Sequence, residues 1–114
     1  MKIGKNCRSP QSIKECPIEY TMKIIGGKWK TVILFHLIGG KLRYSELRKC
    51  MPTVTERTLS LQLQALEDDG LVLRKVYHEK PPLKVEYSLT AFGKTLIPLI
   101  QAIADWGEGA AEKA

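Results

Sequence analysis

Polar and apolar positions along the chain change their spacing several times, and the changes divide it into elements. From Pro52 to Leu71 the spacing is helical. Leu59, Leu63 and Leu66 repeat at i, i+4 and i+7 on one stripe, while Arg57, Ser60, Leu61, Gln64 and Asp68 fall on the opposite face. Thr53 with Glu56 three residues later has the form of a capping box, and Thr55 is a rival N-cap. Gly70 closes the pattern, because glycine enters a left-handed turn without a steric penalty. A helix over about 55–69 is predicted.

Ahead of it, Ile18, Tyr20, Met22, Ile24 and Ile25 predict a first helix stopped by Gly26-Gly27. Lys28 to Ile38 predicts a second, apolar around most of its circumference and therefore central to the fold. Leu42, Leu47 and Met51 fit a short third helix, roughly Tyr44 to Cys50, separated from the 55–69 helix by a break of a few residues. After Gly70 the period falls to two. Leu71 and Leu73 alternate with Val72, Arg74 and Val76, and after the proline-bearing turn 79–84, Val85, Tyr87 and Leu89 alternate with Glu86 and Ser88. Thr90 then caps a last helix whose stripe is Phe92, Leu96, Leu99, Ile103 and Trp106, with Ile97 and Ile100 widening it. Pro98 lies inside that stripe and predicts a kink or a restart near Ile97.

Two helices joined by a short break, the second capped by Thr, have the sequence form of a helix-turn-helix, and a basic hairpin directly after it has the form of a wing. The fold class that follows is mainly α with a small β-hairpin. It comprises a basic arm over 1–16 and a single domain over 17–107, with the wing at about 71–89 and the last helix at about 91–107. A tail over 108–114 completes it. The last helix carries more apolar surface than so small a domain can bury, which predicts a second copy of the chain packed against it.

Charge sharpens this picture. The formal net charge is +6 over 114 residues, concentrated in the first thirty residues at +5 and reversed to −2 in the last ten. That asymmetry favours an anionic partner on one surface. Cys7, Cys16 and Cys50 have no paired spacing, and His36 and His78 lie apart from them, so no metal site and no cofactor is expected. No apolar run is long enough for a membrane span and no secretory signal is visible, which leads to the expectation of a cytoplasmic protein with reduced thiols. An enzyme is not expected, since there is no Cys-x-x-Cys and no His–carboxylate constellation.

The ordered motifs Cys16-Pro17, Gly27-Lys28-Trp29, Arg43-Tyr44-Ser45-Glu46-Leu47, Leu63-Gln64-Ala65-Leu66-Glu67 with Gly70-Leu71, Pro81 to Thr90 with Gly93, and Trp106-Gly107 cover about residues 16–107. In that order they resemble the HxlR-type bacterial transcription regulators, a MarR-related branch of the winged-helix proteins. Tyr44, where the family often has Phe, and the apolar Leu61 depart slightly from the pattern. The resemblance implies a homodimer that binds double-stranded operator DNA of roughly palindromic sequence. It also implies, for some members, sensing of an oxidant or small electrophile through the cysteine that stands here as Cys16.

Within that frame the outward face of the 55–69 helix is the part able to reach base edges. Arg57 suits guanine and Gln64 suits adenine, with Leu61 placed for a thymine methyl. Thr53, Thr55, Thr58 and Ser60 suit phosphate or water-bridged contacts, as do Arg43 and Ser45 at the start of the preceding helix. Arg74, Lys80 and Lys84 supply the cations of the wing. Ile18, Tyr20, Leu96, Leu99, Ile100, Ile103 and Trp106 are expected at the dimer interface. Cys16 has two readings, a small buried thiol or a reactive thiolate with Cys7 or Cys50 as its resolving partner. The competing function is a winged-helix module that binds nucleic acid without sequence preference, or binds protein.

Overall fold

A computed structural model describes residues 16–78, 80–81 and 84–113. The arm over 1–15 with Cys7, the turn residues Glu79, Pro82 and Leu83, and the terminal Ala114 lie outside the described residues. In chain order the elements are α1 (Pro17–Ile25), α2 (Lys30–Leu37), β1 (Leu42–Arg43), α3 (Tyr44–Cys50), α4 (Glu56–Asp68), β2 (Val72–His78), β3 (Lys84–Leu89), α5 (Ala91–Lys94) and α6 (Ile97–Lys113).

The core forms where α2 meets α3, α4 and the sheet. Ile33, Leu34 and Leu37 of α2, Leu47 of α3, and Leu59, Leu63 and Leu66 of α4 are buried. Complete burial of a leucine or isoleucine side chain contributes roughly 1.5–3 kcal/mol, so α4 is held by the stripe that its spacing announces. Its ends are closed on both sides. Thr55 is the N-cap, with its Oγ1 accepting from the Thr58 amide at 3.1 Å, so Thr53 is not the cap and the Thr53–Glu56 box does not form. At the other end Leu71 N donates to Leu66 O and Gly70 N to Glu67 O around Gly70 at φ +75°, a Schellman closure.

The chain departs from the sequence pattern at α2, in the sheet and in β2, whereas the last helix restarts at Ile97 as the position of Pro98 predicts. α2 begins at Lys30, with Trp29 as its N-cap, two residues later than the apolar pattern suggests. The hairpin is part of a three-stranded antiparallel sheet, order β1-β3-β2, in which Leu42 pairs with Tyr87 and Arg43 with Glu86. A two-residue strand leaves no periodicity to read. Within β2, Leu73 faces solvent and Val72 is the inward residue, because Leu71 is consumed by the closure of α4. The last helix is two helices. α5 ends before Thr95, and α6 restarts at Ile97 with Pro98 in its first turn, where the missing amide costs nothing. α6 then continues to Lys113, so residues 108–113 are helical rather than a tail.

A compact joint links α4, the sheet and α5. Thr90 N donates to Leu71 O at 3.0 Å, Thr90 Oγ1 donates to Gly70 O at 2.6 Å, and Gly93 N donates back to Thr90 Oγ1 at 2.9 Å. Gly93 packs so closely that a Cβ there would collide with the Leu71 carbonyl. Both surfaces are backbone and neither can rotate away. Gly93→Ala is therefore expected to lower unfolding stability by about 2 kcal/mol or more, read by urea unfolding at fixed protein concentration.

Candidate nucleic-acid interface

The unit α3–turn–α4 is fixed by contacts that its own sequence supplies. Arg43 N donates to Glu46 Oε1 at 2.7 Å and closes the start of α3. The turn folds inward through Met51 and Val54, both buried, with Val54 N donating to Met51 O at 3.2 Å. Arg48 Nη1 donates to Val54 O at 3.1 Å and clamps the turn from outside. Tyr44 reaches across to α4, its hydroxyl donating to Glu56 O at 3.2 Å and lying 3.4 Å from Ser60 Oγ. These contacts set the angle at which α4 leaves the turn.

α4 therefore presents Arg57, Ser60, Leu61 and Gln64 to solvent along its outer face. Leu61 is 55% exposed. Gln64 is already engaged, Nε2 donating to Asp68 Oδ1 at 3.0 Å, which leaves half of its amide for another partner and sets a carboxylate beside it. Thr55 Oγ1 donates to Thr58 Oγ1 at 2.9 Å, and Thr58 is half-buried, less accessible than the exposed Arg57 and Ser60. Arg43, Ser45, Thr53 and Thr55 are exposed along the entrance to the two helices.

The wing splits its cations between two faces. Arg74 pairs in register with Tyr87 on the inner face, whereas Lys75 pairs with Glu86 on the outer one. Burial raises the Tyr87 hydroxyl above its ordinary pKa, and a hydrogen bond from Arg74 partly offsets that. Lys84 belongs with the outer group, its Nζ 4.7 Å from the Tyr77 ring centroid. The hydrogen bond to Glu86 raises the Tyr77 pKa. The same bond holds the Glu86 carboxyl below the usual range, and Lys41 and Lys84 act in the same direction. Lys80 is exposed near the tip. Lys41, Lys75, Tyr77 and Glu86 are absent from the set expected from sequence. The alternation of Lys75 with Arg74 was the one signal able to separate the two faces.

α1 and α6 expose Ile18 (61%), Tyr20, Met22, Leu99, Ile103 and Trp106 (76%). A shallow apolar groove of about 280 Å³ runs between them, lined by Pro17, Ile18, Met22, Ile25, Leu99 and Ile103. Ile100, expected at a subunit seam, is instead 1% exposed within the single chain and belongs to the core, and Leu96 packs half-buried beside it. The helical stripe is wide enough to serve both purposes, and sequence spacing alone does not divide it. Cys16 is the N-cap of α1, half-buried at the edge of this face, and Cys50 ends α3 in an exposed position. Among the described residues no group of three His, Cys, Asp or Glu side chains is arranged to hold a metal, and no helix is long and apolar enough to cross a membrane.

The profile of the HxlR-like helix-turn-helix family matches residues 24–114. The chain belongs to the HxlR-like helix-turn-helix family. It is 54% identical over 93 residues to YybR and 55% identical over 100 residues to YdeP, two uncharacterised HTH-type transcriptional regulators of Bacillus subtilis (strain 168). These alignments cover 82% of this chain and 74% of YybR, and 88% of this chain and 77% of YdeP. Among solved structures it is similar to the redox regulator HypR in its oxidised form, with TM-score 0.78, 52% identity, and 82% and 96% of the two chains covered. The reduced form of HypR gives TM-score 0.79 at 48% identity, covering 86% and 99%. The protein is thus a transcriptional regulator with a helix-turn-helix DNA-binding fold, and its relatives are regulators rather than enzymes. Within this HxlR-like unit the Arg48 clamp is a stability element as well as a geometric one. Arg48→Ala is expected to cost about 1 kcal/mol in thermal or urea unfolding, as a hydrogen bond to a half-buried carbonyl is lost.

Proposed function

We propose that this regulator acts as a homodimer, reading a roughly palindromic operator in double-stranded DNA with one α4 helix in each half-site. The observation that carries the reading is the division of α4. Leu59, Leu63 and Leu66 are buried, whereas Arg57, Ser60, Leu61 and Gln64 on the same thirteen-residue helix are exposed. A helix fixed by one face and largely polar on the other, Leu61 apart, fits the major groove, where an arginine fork suits guanine O6 and N7. The unburied apolar face of α1 and α6 supports a second copy as its occupant, since a two-fold axis sets two helices against two half-sites.

Cys16 is the proposed sensing residue. Its place at the edge of the apolar face puts its chemistry beside the surface whose geometry spaces the two α4 helices. The similar redox regulator HypR has solved structures in oxidised and reduced forms, which also favours a thiol switch. In such a step two thiols lose two electrons and two protons to an oxidant such as diamide, which is reduced to the hydrazine, and a disulfide forms. Cys7 and Cys50 are the two candidate resolving thiols within the chain.

Binding-site selection from a random duplex pool, followed by footprinting, tests the operator reading. Enrichment of a two-fold-symmetric site is expected, and equal shifts on every duplex would instead mark a module without sequence preference. Arg57→Ala is expected to weaken binding to the selected site by about 1–3 kcal/mol and to relax preference at one base pair per half-site. Trp106→Glu, at a position the single chain leaves exposed, should give the monomer mass in light scattering and lose the operator footprint. A Cys16→Ser protein that still loses operator affinity on adding diamide would remove Cys16 as the sensor.

A further inference from the structure

The outer face of the wing holds a cluster for which base reading by α4 has no use. Tyr77 sits at the register irregularity between Val76 and His78. Its ring carries Lys75 Nζ at 4.9 Å and Lys84 Nζ at 4.7 Å from the centroid. Its hydroxyl lies beside the Glu86 carboxylate, whose buried Oε1 has no hydrogen-bond partner among the described residues, and Lys41 Nζ lies 3.6 Å from that oxygen. Three lysines therefore gather around one tyrosine and one carboxylate, and the cluster keeps an excess of positive charge. The Glu86 side chain is only 14% exposed beneath them, whereas Lys41 is 63% exposed. Arg43 of β1, paired in register with Glu86, extends the same face toward the start of α3.

Three ammonium groups left to themselves would spread apart by repulsion and side-chain entropy. The ring quadrupole attracts an ammonium to its face. Each ammonium still has donors to spare on its outer side. The Lys41–Glu86 separation of 3.6 Å is too long for a strong hydrogen bond, so Lys41 can turn to a better acceptor. A row of tethered ammonium groups with outward donors matches the oxygens of a nucleic-acid backbone.

We propose that Lys41, Lys75 and Lys84 form a phosphate-binding face on the outside of the wing, with Tyr77 and Glu86 as positioning residues that hold the three cations together. This rests on the operator reading above, in which the wing lies along the duplex when α4 enters the groove. Glu86 also acts as an internal competitor with phosphate. It neutralises part of the cluster in the free protein and so restrains binding to duplex of any sequence.

The test is fluorescence anisotropy of the full chain on a selected operator and on a random duplex between 50 and 200 mM salt. Lys75→Ala and Lys84→Ala are each expected to flatten the log–log salt slope by about one unit on both duplexes. Tyr77→Leu keeps every charge, so the slope should stay while affinity falls roughly two- to fivefold, and Tyr77→Phe, which keeps the ring, should fall less. Glu86→Gln should tighten binding to both duplexes and steepen the slope. An unchanged slope in Lys75→Ala overturns the phosphate-binding face, and wild-type affinity in Tyr77→Leu overturns the positioning role. Because Lys75 is exposed in the strand, its variant decides the question even if Tyr77→Leu folds poorly. A wild-type protein that binds both duplexes equally would end the operator reading, yet the wing slopes would remain measurable on the random duplex. The two failures are thereby distinguished.

Discussion

Everything in this molecule depends on the burial of a single stripe of α4. Leu59, Leu63 and Leu66 lock into α2 and the surrounding core, and the hydrophobic effect fixes the rotation of the helix about its own axis. Once that rotation is set, the outward direction of Arg57, Ser60, Leu61 and Gln64 is set with it. No additional device is needed to aim them. The tilt of the helix is a separate matter, and polar contacts control it: Arg48 on the Val54 carbonyl and the Tyr44 hydroxyl on the Glu56 carbonyl. Apolar packing thus determines which residues face outward, and directional hydrogen bonds determine at what angle.

The same division of labour recurs at the other end of the chain. α6 uses Ile100 to reach the core and leaves Leu99, Ile103 and Trp106 uncovered, so one helix serves the domain with one edge and offers the other to a second surface. α1 adds Ile18 and Met22 to that surface and gives Ile25, with the partly buried Ile24, to the core. A chain of this size buries only part of its apolar area internally, and the uncovered face is what supports the proposed second copy.

Elements with several turns of consistent spacing were legible in the sequence. The α4 stripe, the Gly70 closure, the Thr90 cap and the restart at Ile97 all follow from side chains whose local physics is strong. The two-residue strand β1 was not legible, because its pairing with β3 is a tertiary contact that no local period encodes. The division of the α6 stripe between core and surface was hidden for a related reason: Leu99 and Ile100 are equally apolar, and only the position of α2 separates them. The wing cations were identified as a group, but their two faces depend on register. Leu71 is drawn into the α4 closure and Val72 is the inward residue of β2, so Arg74, still exposed, lies on the Tyr87 face and Lys75 on the Glu86 face.

The joint at Gly70, Leu71, Thr90 and Gly93 has a mechanical consequence. It contains four successive backbone or short side-chain contacts and no long, compliant side chain, so it behaves as a weld rather than a hinge. α6 begins only four residues beyond Gly93, and its seventeen residues make an arm of about 25 Å. A rotation of about 5° at such an arm moves its far end by about 2 Å, and a rigid joint passes the rotation on to α4 with little loss. In a two-fold assembly the displacement would appear twice and in opposite directions. In the proposed dimer the distance between the two α4 helices would then be a sensitive gauge of how the arms meet.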